Sequence, residues 1–274
     1  MPLSTSSGMA DLGTHQLFYK IRGQGPRLLQ ISGTNSDTRH KPSVYDIPGA
    51  DSYEILSFDN RGMGQSTSPD EPPSMEAYAE DVAKLLAIVG WKKTAIVGFS
   101  FGGMIAQHLA LHHPHLVERL VLCCTSSGGR GGASYPLQKL QDLPARDFAA
   151  SMMKLMNVSH TDAWQTENPI EAKRVFDMYW QSADATLNDP VKYAAMKAQF
   201  AARAHHDTYD ALSSLSMPVL VACGEDDGVA LPENSKRMAD AIPGAEFHVF
   251  EGGHMFFKEN PAAWPFIFRF VTGA

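Results

Sequence analysis

Cysteine is scarce in this chain of 274 residues: Cys123, Cys124 and Cys223 are all it has. An odd number with two adjacent makes no disulfide framework, and the spacing suits no metal site. Each lies in an apolar run that reads as a buried strand, so all three are expected to be core thiols. Long hydrophobic runs are missing too. Nothing approaches the ~20 apolar residues of a membrane span. Met1–Gly13 is rich in Ser and Thr and lacks the apolar core of a secretory signal, so a cytoplasmic protein is the default expectation. Positive charge is also sparse. There are 23 Lys and Arg against 30 Asp and Glu, with no basic run that could track a phosphate backbone. Nucleic acid is therefore not an expected partner. A homo-oligomer is left open by composition.

What is present is an ordinary globular balance, 44% hydrophobic and 19% charged, enough to bury a sizeable core. Short β-rich runs alternate with helical patterns. Strands are expected at residues 16–21, 27–32, 53–58, 94–99, 118–124, 218–223 and 246–250. Met75, Tyr78, Ala79, Val82, Leu85, Leu86 and Val89 recur at helical spacing, and a second helix is expected over 102–112. Continuous apolar strands alternating with helices indicate a mostly parallel sheet flanked by helices, an α/β fold. Residues 126–216 break that rhythm. They open on a Gly-rich connection, show no convincing strand, and are rich in Met and aromatics. We read 1–125 and 217–274 as the core and 126–216 as an inserted helical cap.

The chemistry enters at Gly98-Phe99-Ser100-Phe101-Gly102. G-x-S-x-G alone is a weak signal, but here an apolar strand runs in and a helix runs out, as a nucleophile elbow requires. Such a turn is strained, and it brings strand and helix so close that flanking positions must be small. Serine is a poor nucleophile until a base takes its proton. Eleven His residues compete for that role. His108, His112, His113 and His115 fall on or just after the helix that follows the elbow and are expected to face solvent or cap its end. His205 and His206 are expected to close the cap. His254 differs: it directly follows the last strand, after Gly252-Gly253, at the sheet edge where active groups gather. The acid that orients it should end a strand between Ser100 and His254. That leaves Glu225, Asp226 and Asp227, because the alternative edge offers only Thr125, Ser126 and Ser127.

Together these residues resemble the α/β-hydrolase superfamily over nearly the whole chain. Ile31-Ser32-Gly33-Thr34 is at the oxyanion-loop position, and Asp59-Asn60-Arg61-Gly62-Met63-Gly64-Gln65-Ser66 is similar to the family's D-x-R-G-x-G-x-S. Within the superfamily the chain looks nearest to small esterases, 3-oxoadipate enol-lactonases and cofactor-free haloperoxidases. The resemblance implies a G-x-x-D acid turn from Gly224 to Asp227, so Asp227 is the implied acid, although Pro232 falls one residue later than the family often has it. It implies oxyanion donors at the backbone N–H of Thr34 and Phe101, with Ser32 standing where the family usually has His. It implies a bracing role for Arg61, and no cofactor or metal.

The expected activity is hydrolysis of a small-molecule ester or lactone through an acyl-enzyme, with Met152, Met156 and Trp180 as candidates to line an apolar pocket. The same three groups would serve C–C hydrolysis of ring-fission diketones, given a carboxylate pocket from Arg130, Arg146, Arg174 or Arg203, or a perhydrolase reaction. A ligand receptor of the same fold would need no such triad.

Overall fold

The buried strands sort their residues between two faces. A computed structural model describes residues 5–69 and 71–273; the first four residues of the Ser/Thr-rich opening stretch, and of the 1–125 segment, lie outside them. Strands β1 (Thr5–Asp11), β2 (Gln16–Arg22), β3 (Arg27–Ile31), β4 (Glu54–Phe58), β5 (Thr94–Phe99), β6 (Val117–Cys123), β7 (Val219–Gly224) and β8 (Glu246–Phe250) form one sheet in the order β1-β2-β4-β3-β5-β6-β7-β8. The β1–β2 and β2–β4 pairs are antiparallel and all others parallel.

Alternate residues of a strand point to opposite faces, and the core divides accordingly. Leu29, Ile96, Leu120, Leu122 and Val221 join one cluster, with helices α1 (Met75–Ile88) and α2 (Phe101–His112). Leu28, Ala95, Val97, Val121 and Leu220 join the other, which takes in Trp264, Ile267, Phe268 and Phe270 of the C-terminal helix Ala263–Thr272. All three cysteines are buried and free. The edge strand β1 was not expected. Its sequence, TSSGMAD, has no apolar alternation, and only Ala10 is buried; pairing with β2, not side-chain burial, makes it a strand.

Between β6 and β7 the chain forms α3 (Ala145–Met156), α4 (Asp162–Glu167), α5 (Pro169–Leu187) and α6 (Pro190–Ala204). Three further helices follow β7: α7 (Pro232–Ala241), α8 (Phe256–Glu259) and α9, the C-terminal helix above. The inserted helices have small apolar clusters of their own, one on Leu137, Leu140, Met196 and Phe200 and one on Met153, Ala172 and Val175. At the neck, Gly128 bridges to Asp207. It has φ 72°, and a Cβ there would lie 1.9 Å from the His206 carbonyl oxygen, so only glycine fits.

His108 departs from expectation: it is 5% exposed and faces the neck. His206 is buried beside it, whereas His205 is the exposed C-cap of α6. The Nε2–H of His206 donates to the Ser126 carbonyl at 3.0 Å, which leaves its Nδ1 to accept from His108 Nε2–H at 3.2 Å. Burial pushes both imidazoles below the usual His range, His206 to about 3, with the neighbouring His108 charge adding to the effect. A group whose folded pKa is depressed leaves the unfolded chain to bind the proton first as pH falls. Its contribution to stability is therefore complete above about 6.5 and is lost below it. At pH 5 the His206 loss is about 2 kcal/mol, at ~1.4 kcal/mol per pH unit. His206→Gln keeps an amide N–H for Ser126 but cannot titrate. Its Tm should fall less between pH 7 and pH 5 than that of the wild type; parallel Tm profiles would show that His206 is not the titrating group.

Candidate active site

The site is built from loops at the carboxyl edge of the parallel strands. Among the described residues, the non-glycine positions with positive φ are Asn35, Ser100 and Cys124, and all three fall in these loops. Ser100, at φ 52° and ψ −115°, follows the buried strand β5 and precedes α2. Such a backbone costs about 1–3 kcal/mol and persists only where its surroundings hold it. Here Ser100 N–H donates to the Cys123 carbonyl at 2.9 Å, and the Thr125 hydroxyl donates to the Ser100 carbonyl at 2.8 Å. A Cβ on Gly98 would lie 2.5 Å from the Gly102 carbonyl oxygen, and one on Gly102 would lie 2.2 Å from that of Ile31. The elbow therefore closes only with glycine at both positions.

Of the three carboxylates after β7, Glu225 is exposed and Asp226 half-buried, while Asp227 is 2% exposed. Asp227 Oδ1 accepts from the N–H groups of Val229 and Ala230, both at 2.8 Å. Its Oδ2 accepts from His254 Nδ1–H at 2.8 Å, which sets Nδ1 as the donor and leaves Nε2 as the ring's other nitrogen. His254 is itself 4% exposed, and its backbone N–H donates to the Met156 carbonyl at 2.6 Å. Its loop passes so near β7 that a Cβ on Gly224 would lie 2.1 Å from the Gly253 carbonyl oxygen. Across the site, the Phe99 and Phe257 rings are 4.2 Å apart, so the residue before Ser100 packs on the segment just after His254. Ser100 and His254 share no hydrogen bond in this state. Such bonds often tighten only with substrate.

The loop after β3 reaches Ser100 as well. A Cβ on Gly33 would stand 3.4 Å from Ser100 Cβ. Among the described residues, the N–H groups of Thr34 and Phe101 have no protein acceptor, and the Thr34 hydroxyl is buried without a partner. Four contacts hold this loop without the family's His. Gln30 donates to the Ser32 hydroxyl at 3.0 Å, Asp59 accepts from Thr38 N–H at 2.6 Å, and Gln199 accepts from Asn35 N–H at 2.9 Å. Asn35 also donates to Thr186 at 2.9 Å. Gln199 and Thr186 are on inserted helices, and no local pattern in the sequence marks either. Arg61 braces the fold: its guanidinium grips Asp81 of α1 with two bonds of 2.7 Å.

Met156 is tied to this site through its carbonyl. Met152 packs against the Leu137–Phe200 cluster, and Trp180 lies under the Arg146 guanidinium, 5.2 Å from its ring centre. Arg130 and Arg174 are exposed and paired with Asp210 and Glu171.

Comparison with known proteins agrees with this architecture. The family model described as the alpha/beta hydrolase fold matches residues 34–261. A proline iminopeptidase from Pestalotiopsis fici is 30% identical over 262 residues, covering 89% of this chain and 91% of that one. The enol-lactonase from Burkholderia xenovorans LB400 superposes with a TM-score of 0.76 at 21% identity, covering 97% of this chain and 100% of that one. An esterase from Exiguobacterium antarcticum gives 0.78 at 18% identity, with 97% and 100% covered. The chain belongs to the alpha/beta hydrolase fold family.

Proposed function

We propose that the chain is a serine hydrolase of small, partly apolar carboxylic esters or lactones, working through an acyl-enzyme. The observation that carries the reading is the buried hydrogen bond from His254 to Asp227. The pair sits in the loops at the carboxyl edge of the sheet that also carry the strained Ser100, where base catalysis needs an oriented imidazole. The names of the relatives, lactonase, esterase and peptidase, share attack on an acyl carbon.

In this mechanism His254 Nε2 takes the Ser100 proton as Oγ bonds to the carbonyl carbon. The N–H groups of Thr34 and Phe101 hold the oxyanion, a role in which one donor is worth roughly 100- to 1000-fold in rate. The intermediate collapses as the His254 cation gives its proton to the departing alkoxide. A water then attacks the acyl carbon while His254 takes its proton. The acid leaves, Ser100 regains its hydrogen, and Asp227 holds His254 in the productive tautomer throughout.

Ser100→Ala should abolish labelling by a fluorophosphonate and reduce ester hydrolysis to the residual level supplied by binding and the oxyanion hole. Full activity in that variant would remove Ser100 from the mechanism. Asp227→Asn cannot hold the same tautomer; the like change in a serine protease costs about 10,000-fold. We expect a severe loss of kcat in Asp227→Asn with the fold kept, and a mild effect in Asp226→Asn. The reverse order of the two kcat values would shift the acid by one residue.

A further inference from the structure

Arg203, in the last turn of α6, is unlike the other arginines of the inserted segment. It is 6% exposed, and among the described residues no carboxylate lies within ion-pairing distance of it. Its Nη2 donates to the Ser134 hydroxyl at 2.6 Å, while Nη1 is buried with no acceptor. Burial pushes its pKa down to about 10, against the pull of the Asp227 charge, so the guanidinium is still a cation at neutral pH. Removing a charge from water without a partner is costly.

The guanidinium lines a cavity of about 80 Å³ whose wall includes Met104, Ser126, Ser134, Tyr135 and Gln138. That is room for a carboxylate, since one water needs only ~10–15 Å³ on this measure. Two more wall atoms, Ser126 Oγ and Gln138 Oε1, are buried without partners. A hydroxyl can rotate to donate, and an amide turned end for end presents N–H where it had oxygen. The cavity wall takes Met104 from the elbow helix and Tyr135 from a segment bonded to the acid loop. Met104 N–H donates to the Ser100 carbonyl at 3.2 Å, and Tyr135 N–H to the Val229 carbonyl at 2.7 Å, two residues past Asp227.

We propose that this cavity is an anion subsite, in which Arg203, Ser126, Ser134 and Gln138 take a carboxylate carried by the substrate. The preferred substrates are then acidic, such as half-esters of dicarboxylic acids or lactones bearing a carboxylate. This deepens the serine-hydrolase reading and rests on it. Charge-assisted hydrogen bonds at a buried site give about 10- to 100-fold in affinity.

The test compares 4-nitrophenyl half-esters of succinic, glutaric and adipic acids with the same esters capped as neutral methyl esters. In the wild type, the acidic-to-neutral ratio of kcat/KM should exceed ten for at least one chain length. It should fall about 10- to 100-fold in Arg203→Met and recover partly in Arg203→Lys. A ratio at or below one for every length overturns the subsite while leaving the serine hydrolase intact. Free glutarate supplies an arm that needs no turnover: it should raise the wild-type Tm more than the uncharged diamide does, and fail to do so in Arg203→Met. Should neither ester be hydrolysed, the serine-hydrolase reading falls and this shift alone decides the subsite. Should Arg203→Met not fold, the wild-type comparison of glutarate with its diamide decides, equal shifts overturning the subsite.

Discussion

The backbone of Ser100 is the constraint around which the rest of the molecule is arranged. A left-handed turn at the tip of a buried parallel strand is unfavourable in itself. It is held because β3 and β6 lie on either side of β5, one offering no side chain at Gly33 and the other a carbonyl at Cys123. The adjacent glycines follow from the same geometry. With Gly102 packed under the Ile31 and Ser32 carbonyls, α2 starts directly at the sheet edge and Ser100 is left half-buried at the tip of the turn.

The groups opposed to that serine are anchored by hydrogen bonds, several of them from the inserted helices. The last residue of α3 supplies the carbonyl that holds His254 N–H, and α5 and α6 grip Asn35 beside the oxyanion loop. The insertion therefore covers the sheet edge and also holds the His254 loop and the loop after β3 in place.

The sheet was legible because β5, β7 and the Leu120–Cys123 end of β6 are apolar runs that alternate with helical patterns, as in a sheet covered on both faces. The elbow and the His254 loop were legible because glycine is placed where backbones must touch. The choice among Glu225, Asp226 and Asp227 was not open to chemistry alone, since three adjacent carboxylates differ only in which way the turn points them. β1 escaped notice because its residues bury almost nothing. His108 looked like a surface group because polar side chains on helices usually are; its burial comes from the neck of the insertion folding back on α2, a contact 98 residues apart for His108 and His206. Gln199 has the same origin, bonding to Asn35 across 164 residues.

The central claim is that a covalent acyl-Ser100 lies on the reaction path. Rapid-quench hydrolysis of an activated 4-nitrophenyl ester, read by intact mass and then by peptide mapping, addresses it directly. The account predicts a burst of nitrophenol equal to the enzyme concentration, with the acyl mass on the peptide containing Gly98–Met104. Steady turnover with no burst and no acylated peptide in the quenched wild-type samples would contradict it.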